Sequence, residues 1–153
     1  MNNTIIPARR TENVNYAIRD ITVLANQVKK TGKHMYYLNI GDPNVYDFVT
    51  PNEIIESVHK AMIDNKNGYA DSIGEQFALD AIKYDAQKKG INNILDVFIT
   101  SGASEAIELC ISALVNQGEN FLMPTPGYPL YTAVQAKYEL EPNPYYLDES
   151  NGW

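Results

Sequence analysis

Apolar residues recur along this chain in two ways, at helical spacing and in short strand-length runs, and their alternation predicts the elements. From Val14, the positions Val14, Ala17, Ile18, Ile21, Leu24 and Val28 follow a helical period that closes at Gly32. Met35 to Ile40 reads as a short strand running into the turn signal Gly41-Asp42-Pro43. Thr50-Pro51-Asn52-Glu53 predicts a helix start, with Thr50 as cap, Pro51 at the first helical position and Glu53 three residues after the cap. Ile54, Ile55, Val58 and Met62 then form its expected buried face. Ser72-Ile73-Gly74-Glu75 repeats the capping pattern for a third helix, which ends at Lys88-Lys89-Gly90 with cations on the negative end of the dipole.

The second half alternates. Val97 to Thr100 is a strand-length run that stops in Ser101-Gly102-Ala103-Ser104. A helix follows with apolar pairs every four residues, Ala106/Ile107, Cys110/Ile111 and Leu114/Val115, and Gly118 is its expected stop. Phe121 to Met123 reads as a strand, the proline-rich loop around Tyr128 as a turn, the residues from Tyr131 to about Tyr138 as a helix, and Tyr145 to Leu147 as a strand. Helix-rich first and then β-α-β-α-β, the pattern implies an α/β fold, helices packed on a mostly parallel sheet with right-handed crossovers. So few strands would leave an exposed sheet edge, so the chain is expected to be part of a larger unit. Residues 1 to 13, polar and proline-interrupted, read as a mobile arm.

Charge narrows the function. The 153 residues carry 12 Lys plus Arg against 19 Asp plus Glu, a net charge of -7. Such an acidic balance argues against sequence-independent nucleic-acid binding. No apolar run approaches a membrane span and no secretory h-region is present, so a cytoplasmic protein is expected. Cys110 lies on the apolar stripe of its helix and reads as a buried structural thiol. His34 and His59 have no partner at metal-ligand spacing, which makes metal catalysis an unfavoured reading.

Two local patterns carry candidate chemistry. A strand feeding Ser101-Gly102-Ala103-Ser104 into a helix gathers backbone N–H groups and the positive dipole end at one spot, which suits an anion. Neither G-x-G-x-x-G nor the Walker pattern is present, so the seat suits a single phosphate, with hydroxyls from Ser101 and Ser104. Glu105 would repel that phosphate if it pointed inward, and is expected to point outward. The alternative is an ordinary turn made of small residues. Pro124-Thr125-Pro126-Gly127-Tyr128-Pro129-Leu130-Tyr131 follows the next strand and should emerge at the same sheet edge. Its prolines fix the backbone, Gly127 permits close approach, and a rigid Tyr128 suits a flat heteroaromatic ring. A packing tyrosine is the alternative there. Together the two patterns suggest a monophosphorylated planar cofactor.

Four motifs stand in order along the chain: Leu38-Asn39-Ile40-Gly41-Asp42-Pro43, Gly68-Tyr69-Ala70-Asp71-Ser72-x-Gly74, Thr100-Ser101-Gly102-Ala103-Ser104-Glu105-Ala106 and Pro124-x-Pro126-x-Tyr128-Pro129-x-Tyr131. As a set they resemble the class I/II, fold-type I pyridoxal-phosphate aminotransferases, and most closely their alanine aminotransferase branch. Tyr16-x-Ile18-Arg19 and Tyr146-Leu147-Asp148-Glu149-Ser150 add to the alanine-type likeness. The resemblance covers about Val14 to the C-terminus and corresponds to the N-terminal half of the family. It implies a mostly parallel sheet with helices on both faces. Residues 1–45 would be an arm, first helix and strand belonging to the small domain, and 46–153 the first, incomplete part of the large cofactor-binding domain.

The resemblance also implies roles. Gly102, Ala103 and Ser104 would cup the phosphate of pyridoxal 5'-phosphate, and Tyr128 would stack on its ring. Gly41 would donate its N–H to the substrate carboxylate. Tyr69 would reach the phosphate of the neighbouring subunit in a homodimer, and Tyr16 would line the substrate entrance. For Gly41 the alternative is a turn glycine, and for Tyr69 a staple ahead of the next helix. The implied reaction moves an amino group between L-alanine, or a similar amino acid, and 2-oxoglutarate. Aspartate or aromatic specificity, or a non-catalytic cofactor- or phosphate-binding or interaction module, remain alternatives. Two departures stand out. Ala78-Leu79 occupies the place of the family's Leu-Arg pair, and no lysine lies in a Schiff-base motif, so that lysine is expected beyond Trp153 and the chain alone is expected to be inactive.

Overall fold

The protein, seen in a computed structural model that describes residues 5–14 and 17–153, is α/β with a parallel sheet. Its elements run α1 (Ala17–Lys29), α2 (Asn52–Ile63), α3 (Gln76–Lys88), α4 (Ala103–Leu114), β1 (Asn120–Thr125), α5 (Pro129–Lys137) and β2 (Glu141–Tyr146). The chain divides into two units, one of the described residues up to Ile40 together with Ser101–Trp153, the other of Gly41–Thr100.

The first unit is built around a β1–α5–β2 crossover. The strands pair in parallel with Asn120 opposite Glu141 and Thr125 opposite Tyr146. Parallel neighbours need a crossover, and α5 supplies it. Ile111 from α4, Val134 from α5 and Leu140 just before β2 form the buried cluster, with Ile107, Val115, Phe121, Leu130 and Tyr138 packed against it. Gln135 is buried too, and donates its side-chain amide to the Leu140 carbonyl at 3.1 Å, which pairs that amide and holds the turn between α5 and β2. Asn39 ties the residues after α1 back to that helix, donating to the Ile18 carbonyl at 3.1 Å and meeting Thr22 Oγ1 at 3.4 Å. Arg9–Asn13, expected to belong to a mobile arm, forms a 3-10 turn beside α5. The backbone N–H and hydroxyl of Thr11 both donate to the Ala8 carbonyl, which holds that turn locally.

In the second unit, Asp42 caps a 3-10 turn (Pro43–Tyr46) by accepting from the Asn44 N–H at 3.1 Å. Helices α2 and α3 follow, and the buried side chain is Leu79 at 2% exposure. The expected buried face of α2 is not buried. Ile54, Ile55, Val58 and Met62 are 52–61% exposed, so the apolar stripe is present but none of the described residues covers it.

Several element ends differ from expectation. Met35 to Ile40 and Val97 to Thr100 are not strands, since no described strand lies beside them to complete a ladder. Ile99 makes one backbone bond, to the Ile73 carbonyl at 2.9 Å. Helix α2 begins after Pro51 rather than Thr50, because the Pro51 carbonyl already takes the N–H groups of Ile54 and Ile55, at 3.0 and 3.2 Å. Likewise α3 is capped at Glu75, and Ser72 lies in a separate turn closed by Gly74 N–H to the Asp71 carbonyl. Helix α4 ends at Leu114, short of Gly118, because Val115 goes extended. Gly118 instead turns the chain into β1, donating to the Glu139 carbonyl at 3.2 Å. Helix α5 starts earlier than expected, with Pro129 at its first position.

Candidate functional site

The candidate site is assembled from the first turn of α4 and the loop between β1 and α5, both in the first unit. Gly102 is the N-cap of α4 at φ 84 and ψ 171, a conformation that glycine adopts without strain. The Ala106 N–H donates to the Gly102 carbonyl, and the N–H groups of the first turn point out of the helix end. Ser101, Ser104 and Glu105 line one shallow hollow of about 460 Å³, together with Glu108, Ser112 and Tyr138. The expected outward direction of Glu105 is corrected here, since its carboxylate turns back and accepts from the Ser101 N–H. With no side chain at the N-cap, that amide donor is met from within the helix.

Tyr128 is the N-cap residue of α5, 45% exposed, and lines a hollow of about 260 Å³ with Met123, Pro124, Thr125 and Gly127. Tyr131 braces it edge-on, with ring centroids 6.4 Å apart and planes at 90°. The loop is tight. Thr125-Pro126 is a cis peptide bond, and a Cβ on Gly127 would overlap the Pro124 carbonyl oxygen. The two hollows have different lining residues and lie in the same unit.

Gly41 and Tyr69 lie in the other unit. Gly41 has open space where a Cβ would be and precedes the Asp42-capped turn. Tyr69 stands fully in solvent. Tyr16 falls outside the described residues.

Behind the cup, Glu108 of α4 accepts from Lys137 Nζ and, at 3.0 Å, from Tyr138 Oη. Those two bonds, Lys137's first, hold the Glu108 carboxyl below its ordinary range, and the carboxylate in turn pushes the Lys137 ammonium up. This clasp, joining α4 to α5, has no single-residue signature and was missed from sequence. So was Asn39, whose link to α1 fixes the chain just before Gly41. At the far end Asp148 caps a 3-10 turn (Glu149–Asn151), and hydrogen bonds from Ser150 and Asn151 keep its carboxyl below the usual value. Cys110 corrects the expectation of a buried thiol. It is exposed and lines an apolar hollow with Ile107, Phe121, Leu122 and Tyr145. Among the described residues no group of His, Cys, Asp or Glu is placed to hold a metal ion, and no helix is long and apolar enough to cross a membrane.

Comparison with known proteins accounts for the ordered motifs. Residues 33–153 match the family model for aminotransferase class I and II. The chain is 35% identical over 145 residues to the glutamate-pyruvate aminotransferase AlaA of Escherichia coli K12, covering 93% of this chain and 36% of that protein. It is also 35% identical over 149 residues to human tyrosine aminotransferase, covering 95% and 32% respectively. Among solved structures, alanine aminotransferase from Pyrococcus furiosus superposes with a TM-score of 0.86 at 33% identity, over 97% of this chain and 38% of that one. The chain thus spans about a third of the length of these relatives. Sequence motifs, the α/β architecture with its parallel pair and the likeness across nearly the whole chain agree, and the chain belongs to the class I and II aminotransferases.

Proposed function

We propose that this chain supplies the phosphate cup and ring platform of a pyridoxal-phosphate-dependent aminotransferase acting on L-alanine, or a similar small amino acid, and 2-oxoglutarate. The observation that carries the reading is the small-residue turn at the α4 N-terminus, where an N–H already holds an anionic oxygen, that of Glu105. This internal carboxylate supports the turn as a place that accepts an anionic oxygen, the class to which a phosphate belongs. The first-turn amides of Gly102, Ala103 and Ser104 and the Ser104 hydroxyl would hold that phosphate. Tyr128, pinned by the Pro126-Gly127 loop and Tyr131, would lie against the ring. Pyridoxal phosphate, when bound, supplies an electron sink for the charge left when an amino acid loses its α-proton.

The remaining assignments follow the same reading. Gly41 would offer its N–H to the substrate carboxylate and Tyr16 would line the entrance. Tyr69, exposed enough to reach another molecule, would meet the phosphate of a second subunit in a homodimer. Residues 1–45 are assigned to the small domain and 46–153 to the large one, in a cytoplasmic enzyme. Among the described residues no lysine lines the hollow at Ser101 and Ser104 or the one at Tyr128, so the 153-residue chain alone is expected to bind cofactor without transaminating. Equilibrium dialysis with pyridoxal phosphate, followed by an assay with alanine and 2-oxoglutarate, tests both statements. Binding without turnover fits them, whereas sustained turnover by this chain alone contradicts the second and absence of binding contradicts the first.

A second substrate class has a specific observation behind it. Human tyrosine aminotransferase is as similar to this chain as the bacterial alanine-type enzyme, at 35% identity each. Assaying tyrosine beside alanine, with the complementary polypeptide supplied, separates the two.

A further inference from the structure

The proposed phosphate seat already contains an anion belonging to the protein. Gly102 at the N-cap of α4 has no side chain, so nothing from that position reaches forward to the first-turn amides. Glu105, the third helical residue, reaches backward and accepts from the Ser101 N–H. A capping box joins the third helical residue to the N-cap N–H, whereas the Glu105 bond falls one residue earlier, on Ser101. The carboxylate therefore stands at the Ser101 N–H and lines one hollow with Ser101 and Ser104, next to where a phosphate would have to settle. Glu108, one turn further on in the same hollow, is already engaged by Lys137 and Tyr138, and among the described residues no Lys or Arg lines the hollow itself.

Resting on the cofactor reading above, we propose that Glu105 is an affinity-setting residue whose carboxylate competes with the cofactor phosphate for the α4 N-terminus. A dianion arriving next to a carboxylate is repelled even in the dielectric of water, enough to weaken binding about tenfold. The cost falls on phosphate-bearing ligands alone. Pyridoxal, which has the ring and no phosphate, escapes it. A purely structural Glu105 has the opposite signature, because losing a helix-end tie loosens the turn and weakens binding.

Equilibrium dialysis of the 153-residue chain with pyridoxal phosphate and with pyridoxal, in parallel, tests the competition. Glu105→Gln keeps an acceptor oxygen for the Ser101 N–H and removes the charge. It is expected to tighten pyridoxal phosphate binding about tenfold and leave pyridoxal unchanged. Unchanged or weaker pyridoxal phosphate binding by this variant overturns the proposal, as does equal tightening of both ligands. Tyr128→Ala, run alongside, separates the two layers of argument. If it weakens binding while Glu105→Gln fails to tighten it, the competition alone is wrong. If no form of the chain binds pyridoxal phosphate, the cofactor reading falls and the competition with it.

Discussion

Replacing Tyr128 with alanine removes the ring face against which a flat cofactor would lie, and aromatic stacking of this kind is worth roughly 0.5–1.5 kcal/mol. Pyridoxal phosphate affinity is expected to fall up to about tenfold, whereas Tyr128→Phe keeps the face and most of the affinity. Ligand titration followed by absorbance measures both. Gly127→Ala acts one step back, through the backbone. Its methyl group would overlap the Pro124 carbonyl oxygen, and opening the loop is expected to cost about 1–3 kcal/mol and to disturb the Tyr128 ring with it. Leu79 explains itself better as a buried residue than as a lost arginine. At 2% exposure it is an apolar anchor of α3, and Leu79→Arg would bury an unpaired cation. Loss of several kcal/mol, read as lost helical circular dichroism, is the expected result.

Between elements, the Glu108–Lys137–Tyr138 clasp joins α4 to α5 with a defined pH window. Glu108 has its carboxyl held low, so its contribution is present above the ordinary carboxylate range and is lost as pH falls through the lowered value. Lys137 is raised, so its contribution is complete below its ordinary value of 10.5 and is lost as pH rises through the raised one. Thermal melts across pH should show both limbs, and Glu108→Gln should flatten the acidic one. The pair is solvent-accessible, so the effect should shrink in high salt. Helices were legible in the sequence because a 3.6-residue period is a local signal, and α1, α3, α4 and α5 lie close to where the spacing puts them. Strands were less so. Val97 to Thr100 has strand composition, but a ladder depends on a neighbour that composition does not reveal. Caps slipped for a similar reason, since Pro51 and Glu75 carbonyls claimed the first amides ahead of the Thr50 and Ser72 hydroxyls.

For the molecule as a whole, surface is the governing quantity. A folded chain of 17.2 kDa is expected to expose about 7,800 Å², and this one exposes 13253 Å². The surplus, roughly 5,500 Å², is comparable to a large obligate interface. Much of it is apolar, including the α2 face and Leu122 of β1. The isolated chain is therefore expected to bind apolar dyes strongly and to self-associate, and to lose both properties when the remaining two-thirds of the relatives' polypeptide is co-expressed. A monomer that leaves the dye dark would contradict this. Site residues divided along the same line. The turns at Ser101–Ser104 and at Tyr128 were readable because each is a local pattern, and the structure shows both in one unit. The roles proposed for Gly41 and Tyr69 depend on groups elsewhere, and nothing in their own surroundings selects them.

Cys110 has a practical use that its sequence position concealed. It is the single sulfhydryl of the chain, and it opens onto the greasy trough beside Phe121 and Leu122. One maleimide fluorophore attached there would sit on an apolar, water-exposed hollow, so a change in its brightness would report whether this trough is covered when a second polypeptide is added.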